Sequence, residues 1–150
     1  MVYLDNAATT KPSERALERF NEISRNVFGN SSSLHELGRR AEHTLSEARR
    51  TLAGIIGAQD EEIYFTSGGT EANNIALLGA ADTFKKGNII TSGYEHSSVY
   101  KTAQALEKKG FTHIAVDYNG DFEAAIDENT VIVSVMLVNN ETGLVNPVDK

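Results

Sequence analysis

The sequence contains no cysteine and only two prolines in 150 residues. Without a thiol, disulfide scaffolds, thiolate zinc sites and a cysteine nucleophile within this chain are excluded. Long apolar runs are missing as well. The longest, Val131 to Val138, spans eight residues and is interrupted by Ser134, far short of the ~20 needed to cross a bilayer. Basic charge is scarce: 14 Lys plus Arg stand against 21 Asp plus Glu, a net charge of −7. A broad nucleic-acid surface needs a basic stripe to displace phosphate counterions, so no nucleic-acid partner is expected. Arg39-Arg40 and Arg49-Arg50 fall on one candidate helix and read as a solvated face. Met1 to Asp5 has neither a basic stretch nor a long apolar stretch, so no signal peptide is expected. The sequons at Asn30 and Asn140 carry little weight without one. What remains is an acidic chain, expected to be soluble and cytoplasmic, with no membrane partner.

The hydrophobic share is 40%, enough for a core, and no repeat or low-complexity linker interrupts it. The pattern predicts a helix from about Pro12 to Val27, with Thr10 as its cap and Leu17, Phe20, Ile23 and Val27 on one face. Phe28 to Ser33 breaks as a loop. Ser33, with Glu36 three residues on, predicts the start of a second helix, whose apolar stripe runs through Leu34, Leu37, Ala41, Leu45, Ala48 and Leu52 to Gly54 and Gly57. The period then changes. Strands are predicted at Glu62–Thr66, Asn88–Ser92, His113–Asp117 and Thr130–Val138, with helices at Thr70–Phe84, His96–Lys109 and Phe122–Ile126. Alternating strands and helices imply an α/β fold with a mostly parallel sheet and helices on both faces. Val131–Val138, apolar on both sides, predicts a central strand. It is the last strand present, which suggests the front part of a larger fold.

Three places along the chain could carry chemistry. In Phe65-Thr-Ser-Gly-Gly-Thr-Glu-Ala-Asn-Asn74, two glycines lie between a strand and a helix, where bare backbone N–H groups, the helix dipole and the Thr70 hydroxyl could cradle a phosphate. It lacks the Gly-Lys-Ser/Thr of a P-loop and the spacing of a dinucleotide turn; a plain tight turn is the competing reading. In Gly93-Tyr-Glu-His-Ser-Ser-Val99, His96 falls at the next strand-to-helix junction, where an imidazole could stack on a flat cofactor or move a proton. A capping or surface histidine is the alternative there. His35, His43 and His113 read as structural. In Val138-Asn-Asn-Glu-Thr-Gly143, an asparagine amide could donate to a ligand oxygen, or the pair could simply shape a turn. Asp117, Asn119, Asp121 and Glu128 mimic the spacing of a calcium loop, but Phe122 stands where glycine is needed, so no metal site is expected.

Together these segments resemble the front part of a cysteine desulfurase, a pyridoxal 5'-phosphate enzyme of the class V aminotransferase group. Tyr3-Leu-Asp-Asn-Ala-Ala-Thr-Thr10 is similar to the family's opening. Phe28-Gly-Asn-Ser-Ser-Ser-Leu-His35 resembles its Gly-Asn-Pro-Ser-Ser loop, with Ser31 in place of proline. Thr66 to Asn74, Glu95-His96 and Asn139 to Gly143 match three further motifs in order. The resemblance implies a partial fold type I large domain over residues 13–150, preceded by a segment, 1–12, lining the substrate cleft through Asp5 to Ala8. It implies Gly69 and Thr70 at the cofactor phosphate, His96 stacked on the pyridine ring and assisting proton transfer, and Asn140 at the phenolic oxygen. It further implies L-cysteine as substrate, alanine as product, a sulfur-acceptor protein, a role in iron-sulfur cluster assembly and a homodimer.

Two family elements have no counterpart in these residues. None of the seven lysines follows the Ser-x-His pattern of the Schiff-base lysine, and the persulfide-forming cysteine is absent. The aspartate that pairs with the pyridine nitrogen also comes later in such chains. These groups would lie beyond residue 150, so this chain alone is expected to be inactive. The alternatives are another class V enzyme, such as an aminotransferase or selenocysteine lyase, and a non-catalytic truncated product or complementing subunit. The uncovered apolar edge of the last strand predicts that the chain associates.

Overall fold

The computed structural model describes residues 1–146 and residue 148. The chain divides into two compact units, Met1–Phe65 and Thr66–Lys150.

The first unit is built on two helices. Helix α1 spans Glu14–Asn26, two residues later than the apolar pattern predicts. Its cap is Ser13, whose hydroxyl accepts the Ala16 N–H at 3.2 Å, rather than Thr10. Helix α2 spans Glu36–Ile56. Its cap is His35, whose Nδ1 accepts the Gly38 N–H at 3.2 Å, not the predicted Ser33. The reason lies in the preceding turn: Asn30 accepts the Ser32 N–H on its side chain and the Ser33 N–H on its carbonyl, both at 2.9 Å. That turn holds Ser33 too early to open the helix. It also presses against α2, since a Cβ on Gly38 would collide with the Ser33 carbonyl. Gly57 ends α2 in the left-handed conformation, φ 72°, which glycine adopts without steric cost.

The predicted strand at 62–66 does not form. Asp60–Glu62 is a short 3-10 turn closed by the Glu62 carboxylate, which accepts the Gln59 N–H at 2.7 Å. Arg49 donates to the Ile63 carbonyl and lies over the Phe65 ring, 5.1 Å from its centroid. A guanidinium thus takes the backbone acceptor that a strand partner would need.

The second unit is a parallel sheet with helices. Its elements are α3 (Gly69–Phe84), β1 (Gly87–Ser92), α4 (Ser97–Glu107), β2 (Phe111–Val116), α5 (Phe122–Ala125) and β3 (Thr130–Ser134). The strands lie in the order β2-β1-β3, both pairings parallel. Ile89 of β1, Ala81 of α3, Ala103 and Leu106 of α4 and Phe111 of β2 form the core, with Val131 and Ile132 packed against it. Ile90, on the opposite face of β1, is also fully buried. Fully burying a side chain of this kind contributes about 1.5–3 kcal/mol.

Strand β3 differs from expectation in length and place. It stops at Ser134 and is an edge among the described strands, with Val133 48% exposed. The central strand is β1. The ladder ends because the Met136 N–H turns to the Glu95 carboxylate at 2.7 Å. This end of the sheet matters for function. The chain leaves β1 toward β2 on one side, then returns to place β3 on the other. Such a reversal opens a crevice at the carboxyl ends of the two strands, the usual binding place in α/β folds.

Candidate active site

Strand β1 runs out through Ser92 to His96, and β3 through Met136 to Asn140, on either side of that crevice. Glu95 spans it. One carboxylate oxygen accepts from the Ser92 hydroxyl at 2.6 Å and from the Met136 N–H at 2.7 Å. Asn139, 6% exposed, is the second tie. Its amide donates to the Tyr94 carbonyl at 2.9 Å, while its Oδ1 accepts from the Glu141 N–H, the Thr142 N–H and the Thr142 hydroxyl at 2.9–3.0 Å. A third tie runs from the Tyr94 hydroxyl to Asn146 Oδ1 at 2.7 Å and from the Asn146 amide to the Met136 carbonyl at 2.6 Å. Burial, with Tyr118 and Glu95 nearby, pushes the Tyr94 phenol up from its ordinary value, so it stays a neutral donor.

The two asparagines therefore divide the work. Asn139 shapes the turn that Gly143 closes at φ 74°. Asn140, next in line, is exposed, and no other described residue bonds its side chain.

Helix α3 brings the glycine turn to the same edge. Its cap position, Gly68, is extended and offers no side chain to the first N–H groups. A Cβ at Gly68 or Gly69 would meet nothing within 4 Å, so no neighbouring atom crowds the turn on that side. The four N-terminal amides of a helix lack intrahelical partners and carry its positive dipole end, which suits an anion. The Glu71 carboxylate turns back to the Ser67 N–H at 2.5 Å, and that bond holds it below the usual carboxylate range. It stays charged, so any anion here must be held by the amides and Thr70 against one neighbouring negative charge.

His96 caps α4. Its Nδ1 accepts the Ser98 N–H at 3.1 Å, while the ring itself is exposed. The starts of α3 and α4 are fastened by side chains: the Asn73 amide donates to Ser98 Oγ at 2.8 Å, and Thr102 Oγ1 donates to Asn74 Oδ1 at 2.9 Å. Asn74 in turn donates to the Thr70 carbonyl at 2.8 Å. Gly69, Thr70, His96 and Asn140 thus come to one rim of one unit. Glu95, Tyr94, Asn73, Ser98 and Asn146 join these segments through partners 10 to 52 residues away. All but Asn146 fall within the segments singled out in the sequence, but their joining role has no local signal.

The other histidines have local roles. His35 caps α2, His43 lies 3.5 Å from Glu47 on the surface of α2, and His113 meets the Thr91 hydroxyl at 2.9 Å and the edge of the Tyr100 ring. Asp121 accepts the Ala124 N–H and caps α5.

The aminotransferase class-V model matches residues 2–150. The chain belongs to that family. Members are pyridoxal 5'-phosphate enzymes. A NifS/IcsS protein homolog of Lactobacillus delbrueckii subsp. bulgaricus is 46% identical, covering 99% of this chain and 41% of that protein. A putative cysteine desulfurase IscS 1 of Bacillus subtilis is 43% identical over 99% of this chain and 42% of that protein. Among solved structures, a NifS-like protein superposes with a TM-score of 0.91 at 38% identity, covering 99% of this chain and 43% of that one. SspA, solved in complex with cysteine, superposes with a TM-score of 0.87 at 34% identity, covering 97% and 44%. The expected fold is met: this class V chain has the architecture of fold type I pyridoxal-phosphate enzymes. It spans about two fifths of the length of the curated relatives it matches.

The residues present fit such a cofactor. The helix start at Gly68–Thr70, with no side-chain cap, two bare glycines and the Thr70 hydroxyl, suits a phosphate, an exposed imidazole offers a flat face, and an exposed amide offers a donor.

Proposed function

We propose that this chain is the cofactor-holding front part of a cysteine desulfurase. The observation that carries the reading is the meeting of a glycine turn at a helix start, an exposed imidazole and an exposed asparagine amide at one carboxyl rim. In this reading the N–H groups of Gly69 and Thr70 and the Thr70 hydroxyl bind the phosphate. Asn140 donates its amide to the phenolic oxygen. His96 lies against the pyridine ring, keeps water off that face and takes part in proton movement through its free edge. Asn139 and Glu95 hold the two strand exits at a fixed separation. When bound, pyridoxal 5'-phosphate supplies the electron sink that lets bonds at the substrate α- and β-carbons break.

Residues 13–150 are the front of the large domain in this proposal, and residues 1–12 line the substrate cleft. The substrate is L-cysteine, the products are alanine and sulfur passed to an acceptor protein, and the enzyme works as a cytoplasmic homodimer. The chain has no cysteine to receive the sulfur and no lysine in the family's tethering pattern. These groups must come from outside its 150 residues. No helix among the described residues is long and apolar enough to cross a membrane.

Equilibrium dialysis of the chain with pyridoxine 5'-phosphate tests the reading, because this alcohol cannot condense with surface lysines. Saturable binding that is lost with unphosphorylated pyridoxine is expected. Thr70→Ala and Asn140→Ala should each weaken it about tenfold, the size of one hydrogen bond to a charged group. Equal uptake of the two vitamers would overturn the proposal.

A further inference from the structure

His96 is held by more than a helix cap requires. Capping needs one acceptor for one N–H, and His96 Nδ1 already serves the Ser98 N–H at 3.1 Å. Ser98 Oγ lies nearer the same nitrogen, at 2.7 Å, and accepts from the Asn73 amide of α3 at 2.8 Å. A ring nitrogen that accepts a backbone N–H has its lone pair there and carries no proton. The Ser98 hydroxyl, with a lone pair already used by Asn73, has its own proton to give to Nδ1. The donors therefore run one way: Asn73 amide to Ser98 hydroxyl to His96 Nδ1. Ser98 is 8% exposed, so water competes weakly for these bonds, whereas the ring beyond is exposed.

We propose that Asn73 and Ser98 are positioning residues that hold neutral His96 as its Nε2–H tautomer and fix its ring against the starts of α3 and α4. A proton that His96 exchanges with a ligand then passes through Nε2. The function of this device rests on the reading of His96 as the residue beside the cofactor ring; the tautomer itself does not. Asn73 lies one helical turn beyond Thr70, so the helix that would seat the phosphate also orients the imidazole.

The test is the imidazole 15N spectrum of the 150-residue chain at a pH where the ring is neutral, with His96 assigned by its loss in His96→Gln. A pyridine-like Nδ1 and a pyrrole-like Nε2 are expected. Ser98→Ala removes the shorter of the two donors and should raise the Nδ1–H population about fivefold, the worth of one net hydrogen bond. Ser98→Thr, which restores a hydroxyl, should reverse that change. Asn73→Asp replaces a donor by an acceptor, draws the Ser98 proton away from Nδ1, and should move the ring in the same direction as Ser98→Ala. A pyrrole-like Nδ1 in the parent chain, or wild-type shifts in both Ser98→Ala and Asn73→Asp, overturns the proposal. If one variant loses its amide dispersion the other decides, and if both do, the parent tautomer decides. Dialysis of the same samples with pyridoxine 5'-phosphate separates the two claims. A tautomer response without binding refutes the cofactor reading alone; binding without the response refutes the relay alone.

Discussion

The two units of this chain solve the same problem with unequal means. Residues 66–150 enclose Ile89, Ile90, Ala103 and Leu106 at 0–1% exposure beneath parallel strands and helices. Residues 1–65 bury little beyond Gly38, Ala53 and Ile63, and leave Phe20, Leu45, Leu52 and Ile55 on the surface of their helices. An amphipathic helix without a covered face gains little from its stripe, because helix stability in proteins comes mainly from packing. A sheet closes its own core even when short. Gly69, Thr70, His96 and Asn140, the residues proposed to hold the cofactor, all sit on the unit that carries such a core.

That contrast can be broken or sharpened by substitution. The largest effect is expected from Leu106→Ala, which should cost the second unit about 2–5 kcal/mol in urea unfolding followed by backbone amide signals of β1 and β2. Leu45→Ala, at a 40% exposed position of α2, should cost under about 1 kcal/mol, since little area leaves water there; equal losses would erase the distinction. Next comes Asn139→Ala. It removes a buried amide and leaves the Tyr94 carbonyl, the Glu141 and Thr142 N–H groups and the Thr142 hydroxyl to find other partners, at about 1–3 kcal/mol. Dialysis should also show weaker binding of pyridoxine 5'-phosphate, through a displaced Asn140.

A smaller effect is expected from acid. Burial pushes His113 below its ordinary value, against a weaker upward pull from Glu107. The unfolded chain binds the proton more readily, so the stability that neutral His113 contributes is present above the unfolded value of about 6.5. It is lost as pH falls through the lower folded value. Urea midpoints between pH 7.5 and 5 should decline, and less so in His113→Gln; parallel declines would assign the loss to other groups. Arg19→Ala, which removes an exposed pair with Glu22 at 2.7 Å, should leave the midpoint unchanged within error.

Much of the second unit is legible in the sequence, because its period alternates and glycines or lysines punctuate it. Helix α3, strand β1 and helix α4 fall within one or two residues of their predicted limits. Two of the failures share a cause: a side chain distant in sequence satisfies a backbone group. Arg49 takes the Ile63 carbonyl in the segment predicted as a strand, and Glu95 takes the Met136 N–H where β3 would continue. Local pattern holds no trace of such partners, whereas the Asn30 turn that delays α2 is itself local, closed on Ser32 and Ser33. The rim segments were visible as motifs for the opposite reason, since glycine turns and polar ends of apolar strands are local. Their fastening through Asn73, Ser98, Asn139 and Asn146 is tertiary and shows only in the fold. Lys150, the last of the seven lysines, lies outside the described residues.

The central claim is that three separated segments serve a single phosphorylated ring. Adding pyridoxine 5'-phosphate to 15N-labelled chain, and following the Gly69 and Thr70 amides, the His96 imidazole and the Asn140 side-chain amide together, addresses it most directly. All four signals moving along one saturation curve is the expected result. Movement of the glycine-turn amides alone, with His96 and Asn140 still at saturating ligand, would contradict it.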